Sequence, residues 1–279
     1  MIPQRNLSLL SNRLARQGGR RIPEAVLERD YCLAWFLVGL SRSPLRERLA
    51  FKGGTALKRC YFGDYRFSED LDFTLTEEVP FETLRAELEP VFTEVQRASG
   101  VVFRFEREDR QRHVNSHTFY LAYDGPLPAR TASEVKVDVT IRERLVLPLV
   151  ERPVVRGYEE YEDLPDGATV RVYSLEEISV EKVVALGDRA RNEPRDLYDL
   201  WHLTTEGHVD LDHLKAEAEK KLEFRGRALT TLGEEFLKKE ARLKKLWNVR
   251  LAAQTAELPE FDGVFRVVRR CLRQAGLAG

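Results

Sequence analysis

The chain has 279 residues, of which 43% are hydrophobic and 33% are charged, and its formal net charge is −1. The apolar fraction is enough for one large or two modest hydrophobic cores, which excludes an intrinsically disordered chain. The near-neutral charge excludes a strongly basic protein, and three scattered cysteines without metal-ligand spacing argue against a disulfide framework or a cysteine metal site.

The longest apolar run, from Tyr31 to Leu40, is far too short to cross a bilayer. The N-terminal residues lack the charged and apolar regions of a secretory signal. We therefore expect a soluble, cytoplasmic protein that has no membrane partner, and we expect it to be a monomer.

The first predicted element is a helix that starts near Pro23 and carries apolar residues at helical spacing. The next feature is a pair of glycines, Gly53 and Gly54, which opens a short helix near Thr55. Because glycine has no side chain, these backbone amides can approach an anion closely, and the positive end of the helix dipole points to the same place. The pattern predicts a phosphate-binding turn.

A strand is predicted over residues 67–75, with Asp70 and Asp72 two positions apart. Side chains alternate along a strand, so both carboxylates leave one face while Leu71 and Phe73 occupy the other. Gly-Gly alone usually marks a turn, and Asp-x-Asp alone is usually a solvated strand face. Buried carboxylates without a cation are costly, so the combination predicts a site for one or two hard cations.

Farther along, a helix is predicted over residues 83–98 and strands over 101–106, 116–123 and 133–141, which makes the first domain mixed α/β. In the last strand, apolar residues alternate with polar ones, and Asp138 lies among the polar ones. A lone aspartate on such a strand is usually solvent-facing. After an Asp-x-Asp strand, however, Asp138 is a candidate third carboxylate of the cation site. It would hold a metal ion near a hydroxyl group that attacks a bound phosphate.

The segment 144–166 carries three prolines and is the expected connection between domains, and helices are expected from Ser174 onward. Ser174 and Glu177 form a predicted capping box, and Lys182 lies on the inward stripe of that helix. A buried lysine needs an anion, which could be the outer phosphate of a nucleotide or a carboxylate of the next helix. The expected ion-pair network around Lys182 comprises Arg189, Arg195, Asp196 and Asp199.

Both ends of the chain are basic: the first thirty residues hold six arginines against three acidic residues. Such residues could line a nucleic-acid track, or they could be ordinary lysine stripes paired with glutamates on charged helices. The C-terminal set comprises Lys220, Lys221, Arg225, Arg227, Lys238, Lys239, Arg242, Lys244, Lys245 and Arg250.

The ordered motifs between Phe51 and Trp201 resemble those of the AbiEii/AbiGii toxin nucleotidyltransferases, which include the mycobacterial MenT toxins. An ordered series of separated motifs is more specific than any one of them. The flanking regions share only a helical character with the family, so no motif carries the choice of substrate. The matching residues are Gly53, Gly54, Arg66, Ser68, Asp70, Asp72, Asp138, Glu181, Lys182, Arg195, Asp196 and Asp199.

The resemblance implies a DNA-polymerase-β-like nucleotidyltransferase domain with a mixed sheet, followed by a mostly helical domain. We place these domains at residues 1–145 and 146–279. The resemblance also implies the toxin of a toxin–antitoxin or phage abortive-infection pair, with an AbiEi-like antitoxin as its partner. In the MenT members, the implied reaction moves a nucleoside monophosphate from an NTP to the 3′ end of tRNA, which blocks aminoacylation and translation.

The expected co-substrate is an NTP bound with Mg²⁺ or Mn²⁺, and the expected metal ligands are Asp70, Asp72 and Asp138. The expected phosphate-binding residues are Gly53, Gly54, Thr55, Arg66, Ser68 and Lys182. The expected catalytic residues are Asp70, Asp72, Asp138, Lys182 and Asp196, of which the role of Asp196 is implied by the resemblance. Three alternatives stay open: transfer to a protein hydroxyl, transfer to a small molecule such as an aminoglycoside, and a non-catalytic interaction module, which the intact carboxylates disfavour.

Overall fold

The computed structural model describes residues 1–18, 21–111, 114–128, 133–255 and 257–278. Contacts between Cα atoms divide the chain into two compact units. The first unit comprises Met1–Glu143 and Leu149–Val172, and the second comprises Arg144–Pro148 and Tyr173–Gly279. Among the described residues, no helix is both long and apolar enough to span a bilayer.

The first unit begins with helices and continues as a sheet with one further long helix. A short π-helical turn, Leu57–Phe62, prolongs the helix that starts at the glycine pair. The elements are α1 (Gln4–Gly18), α2 (Glu24–Ser41), β1 (Leu49–Lys52), α3 (Gly53–Ala56), β2 (Leu71–Leu75), α4 (Phe81–Ser99), β3 (Val102–Glu108), β4 (Ser116–Asp124), β5 (Ser133–Thr140), β6 (Leu149–Pro153) and β7 (Thr169–Tyr173).

Within the described residues, seven strands form one mixed sheet in the order β3-β4-β5-β2-β1-β7-β6. Strand β2 lies between β5, which runs parallel to it, and β1, which runs antiparallel. One face of the sheet is apolar and packs against α2 and α4. The ring of Phe36 on α2 lies 6.4 Å from that of Phe73 on β2 and 5.5 Å from that of Phe103 on β3. This packing anchors β2 at the centre of the unit and leaves its polar residues on the other face.

The second unit is helical after Tyr173. Helix α6 packs against α5, α9 and α10, and its buried leucines, Leu197, Leu200 and Leu203, form the centre of this core. The helices are α5 (Leu175–Leu186), α6 (Pro194–Thr205), α7 (Lys215–Phe224), α8 (Leu232–Lys238), α9 (Glu240–Leu251) and α10 (Phe261–Gln274).

The short segment Arg144–Pro148 belongs to the second unit because Glu177 holds it there. The carboxylate of Glu177 accepts backbone N–H bonds from Val146 at 3.2 Å and Leu147 at 2.9 Å, and it forms a buried ion pair with Lys221. Ser174 caps α5 as predicted, since its hydroxyl oxygen accepts the N–H of Glu177 at 3.2 Å. The Glu177 side chain is committed to these other partners instead of completing the predicted capping box.

Two features differ from the sequence predictions. Strand β2 begins at Leu71, so Asp70 precedes the strand, and the backbone carbonyl of Asp70 accepts a hydrogen bond from the Thr55 hydroxyl at 2.5 Å. Strand β6 lies inside the segment 144–166 that was predicted to connect the domains, and β7 follows that segment and joins the sheet through Val172, which pairs with Phe51 of β1. Residues 149–172 therefore group with the first unit.

Candidate active site

A row of polar side chains crosses the centre of the sheet on the face opposite Phe73. Lys52 is the register partner of Asp72 across β1 and β2, and Asp72 is the partner of Asp138 across β2 and β5. Thr118 on β4 extends the row beyond Asp138. Residues directly opposite each other on neighbouring strands have Cβ atoms about 5 Å apart and side chains on one face. The register therefore brings two predicted site carboxylates together.

The glycine pair lies against the predicted site residues. Gly53 has a φ of +79°, and a Cβ atom placed on it would lie 2.5 Å from Oδ2 of Asp72. A Cβ on Gly54 would lie 2.5 Å from a guanidinium nitrogen of Arg66. Both distances are inside van der Waals contact; Gly53 also has a left-handed φ that favours glycine, whereas a side chain at Gly54 would require the Arg66 guanidinium to shift. The absence of two side chains lets the turn approach Asp72 and Arg66 directly.

Other predicted phosphate-binding residues are buried around this turn. Thr55 is buried, and its hydroxyl fastens α3 to the segment that carries Asp70. Arg66 is also buried, and its guanidinium donates to the carbonyl oxygen of Phe67 at 3.3 Å. Ser68 is buried in the same segment. The contact made by Thr55 is structural, a role that the sequence prediction did not include.

Asp138 lies among hydrogen-bond donors that sequence reasoning missed. Thr118 Oγ1 donates to Asp138 Oδ2 at 3.4 Å, and Lys136 Nζ lies 3.7 Å from the same oxygen. Beside them, Lys52 Nζ donates to Thr140 Oγ1 at 3.0 Å. Lys52 directly precedes the glycine pair, which is a usable sequence signal. The positions of Thr118 and Thr140 depend on strand pairing, which no local pattern reveals.

A pocket of about 310 Å³ adjoins the polar row at Thr118. Its lining includes His117 and three carboxylates, those of Glu82, Glu108 and Asp109. A triphosphate would meet like charge there, since two anions at close range repel each other. The acidic lining makes this pocket unsuited to the phosphates of a nucleotide, in contrast to the glycine turn.

The donor chemistry of the row suits a hard divalent cation. Mg²⁺ is usually held by one or two carboxylates together with substrate phosphates and waters. Asp72 and Asp138, in register on adjacent strands, provide such a carboxylate pair. Among the described residues, no group of three or more histidine, cysteine, aspartate and glutamate side chains lies close enough together to hold a metal ion. The third predicted ligand, Asp70, lies outside the strand, so the alternation that was expected to align it does not apply.

The second unit contains the predicted lysine in a buried ionic cluster. Lys182 Nζ donates to Asp196 Oδ1 at 2.8 Å and lies 2.7 Å from Asp199 Oδ2, and Arg191 pairs with Asp196 at 2.5 Å. Burial opposes the ionisation of Asp196, but the charges of Lys182 and Arg191 outweigh burial and hold the pKa of this carboxyl well below its usual range. Of the two anions considered for Lys182 from the sequence, a nucleotide phosphate or a carboxylate of the next helix, the structure shows the carboxylates of Asp196 and Asp199.

Two arginines of the predicted network form ion pairs with residues other than Asp196 and Asp199. Arg189 forms its ion pair with Glu235 at 2.7 Å, on α8, and Arg195 pairs with Glu193 at 3.2 Å. Arg191, which sequence reasoning did not select, supplies the second positive charge on Asp196. Helix α6 begins at Pro194, so Arg195 lies in its first turn, close to the N-cap residue Glu193 with which it pairs.

Comparison with known proteins decides the family. The model of a family described as nucleotidyl transferase AbiEii toxin of type IV toxin–antitoxin systems matches residues 35–267. The chain belongs to this family. It is therefore a toxin nucleotidyltransferase of a type IV toxin–antitoxin system, as the order of its motifs indicated. No curated protein matches the chain in sequence.

Two solved structures share the fold of this AbiEii chain. One is a candidate nucleotidyltransferase from H. pylori, with a TM-score of 0.56 and 19% identity over 91% of this chain and 96% of the other. The second is MenT4, a nucleotidyltransferase toxin from Mycobacterium tuberculosis, with a TM-score of 0.56 and 19% identity over 95% of this chain and 89% of the other. At this identity the likeness establishes the mixed α/β fold of nucleotidyltransferases.

Several C-terminal basic residues of the AbiEii chain are buried or ion-paired, whereas Arg242, Lys245 and Arg250 on α9 are exposed. Lys221 and Lys239 are buried, and burial lowers the pKa of Lys239 to about 8. Lys238 pairs with Glu234 and Glu235, which was the alternative expectation for this helix. Further ion pairs join Arg225 to Glu181, Arg227 to Asp188 and Lys244 to Asp262. Of the N-terminal arginines, Arg20 lies outside the described residues.

Proposed function

We propose that this AbiEii toxin transfers a nucleoside monophosphate from an NTP to the 3′ end of tRNA and thereby blocks aminoacylation and translation. The observation that carries the proposal is the in-register pair Asp72 and Asp138, with the Gly53 turn packed against Asp72. Two carboxylates beside a side-chain-free turn suit a cation and a triphosphate together. The family membership supports nucleotidyl transfer as the reaction class.

In the proposed mechanism, Asp72 and Asp138 would hold Mg²⁺ or Mn²⁺, with Asp70 near them. When bound, the cation supplies charge that neutralises the triphosphate and lowers the pKa of the acceptor hydroxyl. The backbone at Gly53 and Gly54 lies where an anionic oxygen can approach without meeting a side chain. Asp138 would lie toward the acceptor hydroxyl, which would lose its proton to solvent as its oxygen attacks the α-phosphorus, while the bond from the α-phosphorus to the bridging oxygen of the β-phosphate breaks and pyrophosphate leaves.

Residues around the turn are proposed to shape the phosphate site. Arg66 and Ser68 contribute a guanidinium and a hydroxyl, and Thr55 keeps the Asp70 segment in place through its hydrogen bond. Lys182 and Asp196 are proposed as functional residues on the basis of the family resemblance. Their contacts support a lysine whose charge is maintained in the interior by two carboxylates.

The proposed setting is the cytoplasm, where tRNA and NTPs are present, with an AbiEi-like antitoxin as the partner of the toxin. Family membership implies an antitoxin. The proposal treats the toxin as a monomer.

The test is incubation of purified protein with total tRNA, Mg²⁺ and each NTP in turn, labelled either at the α- or the γ-phosphate. We expect the α-label, and no γ-label, to appear in tRNA on a denaturing gel. Asp72→Asn should abolish the label, because it removes a proposed cation ligand. The control Asp210→Asn changes an exposed aspartate of the second unit and should label tRNA normally.

Other outcomes would redirect the proposal. Label in protein or in small molecules, with none in tRNA, would contradict tRNA as the acceptor while leaving nucleotidyl transfer intact. If no α-labelled NTP gives labelled product with any acceptor, nucleotidyl transfer itself is contradicted.

A further inference from the structure

Helix α10 carries four arginines along one exposed stripe. Arg266, Arg269, Arg270 and Arg273 follow the spacing i, i+3, i+4 and i+7, which places them on a single helix face over about 10 Å of axis. All four side chains are exposed. Within the part of the chain that the structure describes, none of the four forms an ion pair or a side-chain hydrogen bond. We call these four residues the arginine stripe.

The helix that carries the stripe is packed against the core of the second unit. The opposite face of α10 is buried through Val264, Phe265, Val268 and Leu272. The ring of Phe265 stacks on that of Phe236 of α8 with centroids 4.6 Å apart. A ligand that binds the stripe would not have to order the helix first, so its binding would lose less conformational entropy.

Ordinary helix electrostatics does not account for the stripe. Cations near a helix C-terminus are stabilised by the helix dipole, and this applies to Arg270 and Arg273, but the effect fades within the last turn and does not reach Arg266. On α8 and α9, Lys238 pairs with Glu234 and Lys244 with Asp262, whereas Arg242, Lys245 and Arg250 of α9 have no ion pair among the described residues. The four stripe arginines likewise have no acidic partner there, so the stripe keeps an uncompensated positive charge. Its last three arginines also lie beyond residue 267, where the family match ends.

The composition of the exposed face favours phosphate over an acidic protein. No apolar residue of α10 is exposed; apart from the arginines, its exposed residues are Asp262, Gly263 and Gln274. Stable protein interfaces rely on apolar or aromatic anchors at their centre, which this face lacks. A planar guanidinium matches phosphate oxygens with paired N–H donors, and successive arginines along an axis suit a repeating polyanion.

We propose that the arginine stripe binds the phosphate backbone of the acceptor RNA. This inference rests on the proposed function, because it assigns a surface to the acceptor of that reaction. Backbone contacts of this kind position a nucleic acid without reading its sequence. The stripe would therefore raise affinity for RNA in general, and the choice among tRNAs would come from elsewhere.

The test is the affinity of the full chain for fluorescently labelled total tRNA, measured without NTP over a range of salt concentrations. The stripe variant replaces Arg266, Arg269, Arg270 and Arg273 with glutamine. The control variant also removes four positive charges by substitution with glutamine. The four arginines chosen are ion-paired and at least partly exposed: Arg97, Arg104, Arg142 and Arg156. If each stripe arginine neutralises one phosphate, the slope of log affinity against log salt should fall by about 3 in the stripe variant.

At about 0.1 M salt, the stripe variant should also bind tRNA at least about tenfold more weakly than the control variant. Two double variants, Arg266→Gln with Arg269→Gln and Arg270→Gln with Arg273→Gln, should each show about half of the fall in salt slope expected for the stripe variant. These milder variants separate a loss of RNA contacts from a folding defect in the quadruple variant. Equal slopes and affinities in the stripe and control variants would overturn the proposal. Binding of labelled polyglutamate, a mimic of an acidic protein, is measured with the same variants. If the stripe variant loses polyglutamate binding and keeps RNA binding, the proposal is overturned and the surface is assigned to an acidic protein.

Failure of this inference and failure of the proposed function give different results. If the intact protein labels tRNA and the stripe variant binds tRNA like the control, the surface is wrong and the function stands. If the stripe governs tRNA binding but the intact protein transfers no nucleotide to tRNA, the surface stands and the proposed reaction is wrong.

Discussion

The position of Asp72 is determined by its neighbours on three backbone segments. Lys52 lies opposite it on β1, Asp138 lies opposite it on β5, and the Gly53 turn closes over its carboxylate. The strand register sets the first two contacts and a positive φ angle sets the third. Small changes at Gly53 should therefore move a carboxylate that the proposed reaction requires.

Gly53→Ala should damage both stability and transfer. A non-glycine residue with left-handed φ costs about 1–2 kcal/mol, and the new Cβ would meet Asp72 Oδ2 at 2.5 Å, so the carboxylate must shift. We expect a loss of about 1–2 kcal/mol in the free energy of unfolding and a fall in transfer rate of at least about tenfold. Urea unfolding and the tRNA-labelling assay measure the two effects.

Gly167 offers a matched control for this substitution. Its φ is +84°, and a Cβ placed there would meet no atom within 4 Å. Gly167→Ala should therefore show the same loss of stability and no loss of transfer. Equal transfer rates in the Gly53→Ala and Gly167→Ala proteins would refute the idea that the glycine turn positions Asp72.

Much of this local geometry was accessible from sequence, and some was not. The glycine pair and the alternation of Asp72 with Leu71 and Phe73 are local signals, and they indicated the turn and the polar face. The closeness of Asp72 and Asp138 followed only from strand pairing, because the two residues belong to strands far apart in the chain. For the same reason Thr118 was not recognised.

At the scale of elements, helices α5 and α6 are joined by a buried ionic cluster. Lys182 on α5 reaches Asp196 and Asp199 on α6, which are one turn apart along the helix. Breaking a buried pair by removing one partner is strongly destabilising, because the remaining charge keeps its desolvation cost. The helix pair should therefore depend on the ionisation of Asp196.

This dependence predicts how stability responds to pH. Since the pKa of Asp196 is lower in the folded than in the unfolded chain, its contribution is present above the usual aspartate pKa of 3.8 and is lost as pH falls below it. Asp196→Asn should cost about 3 kcal/mol at pH 7, and the difference from the unsubstituted protein should shrink between pH 4 and pH 2. Urea unfolding at several pH values measures it.

The exposed Asp210→Asn serves as the control for the loss of one carboxylate from the same unit. It should change stability by less than about 1 kcal/mol at pH 7. A stability difference for Asp196→Asn that stays constant from pH 7 to pH 2 would show that the cluster does not act through ionisation.

Element prediction succeeded where local signals were strong. The capping serine at Ser174 and the periodic apolar residues of α4 and α5 gave helices close to the observed ones. Strands β6 and β7 were not predicted, because they are five residues each, lie among prolines and charged residues, and are stabilised by pairing with the sheet. Asp70 was predicted to lie in the strand because the alternation of polar and apolar residues extends back beyond Leu71. In the structure, the backbone carbonyl of Asp70 instead accepts the hydroxyl of Thr55.

At the scale of the whole molecule, charge is distributed more selectively than the sequence suggested. Buried lysines and surface ion pairs account for many of the C-terminal basic residues, and the arginine stripe of α10 keeps its charge exposed. Sequence spacing cannot distinguish these cases, because pairing depends on which helices meet. The division at Val172 likewise depends on β7 joining a sheet that begins more than a hundred residues earlier.

The central claim is that Asp72 and Asp138 serve one site for nucleotidyl transfer, and the direct test is single-turnover transfer to tRNA by Asp72→Asn, Asp138→Asn and the double variant. Each single change should slow transfer at least about a hundredfold. The double variant should be no slower than the worse single variant, because residues that act as a unit are not additive. A normal rate for Asp138→Asn, or a double variant slowed by the product of both effects, would contradict the claim.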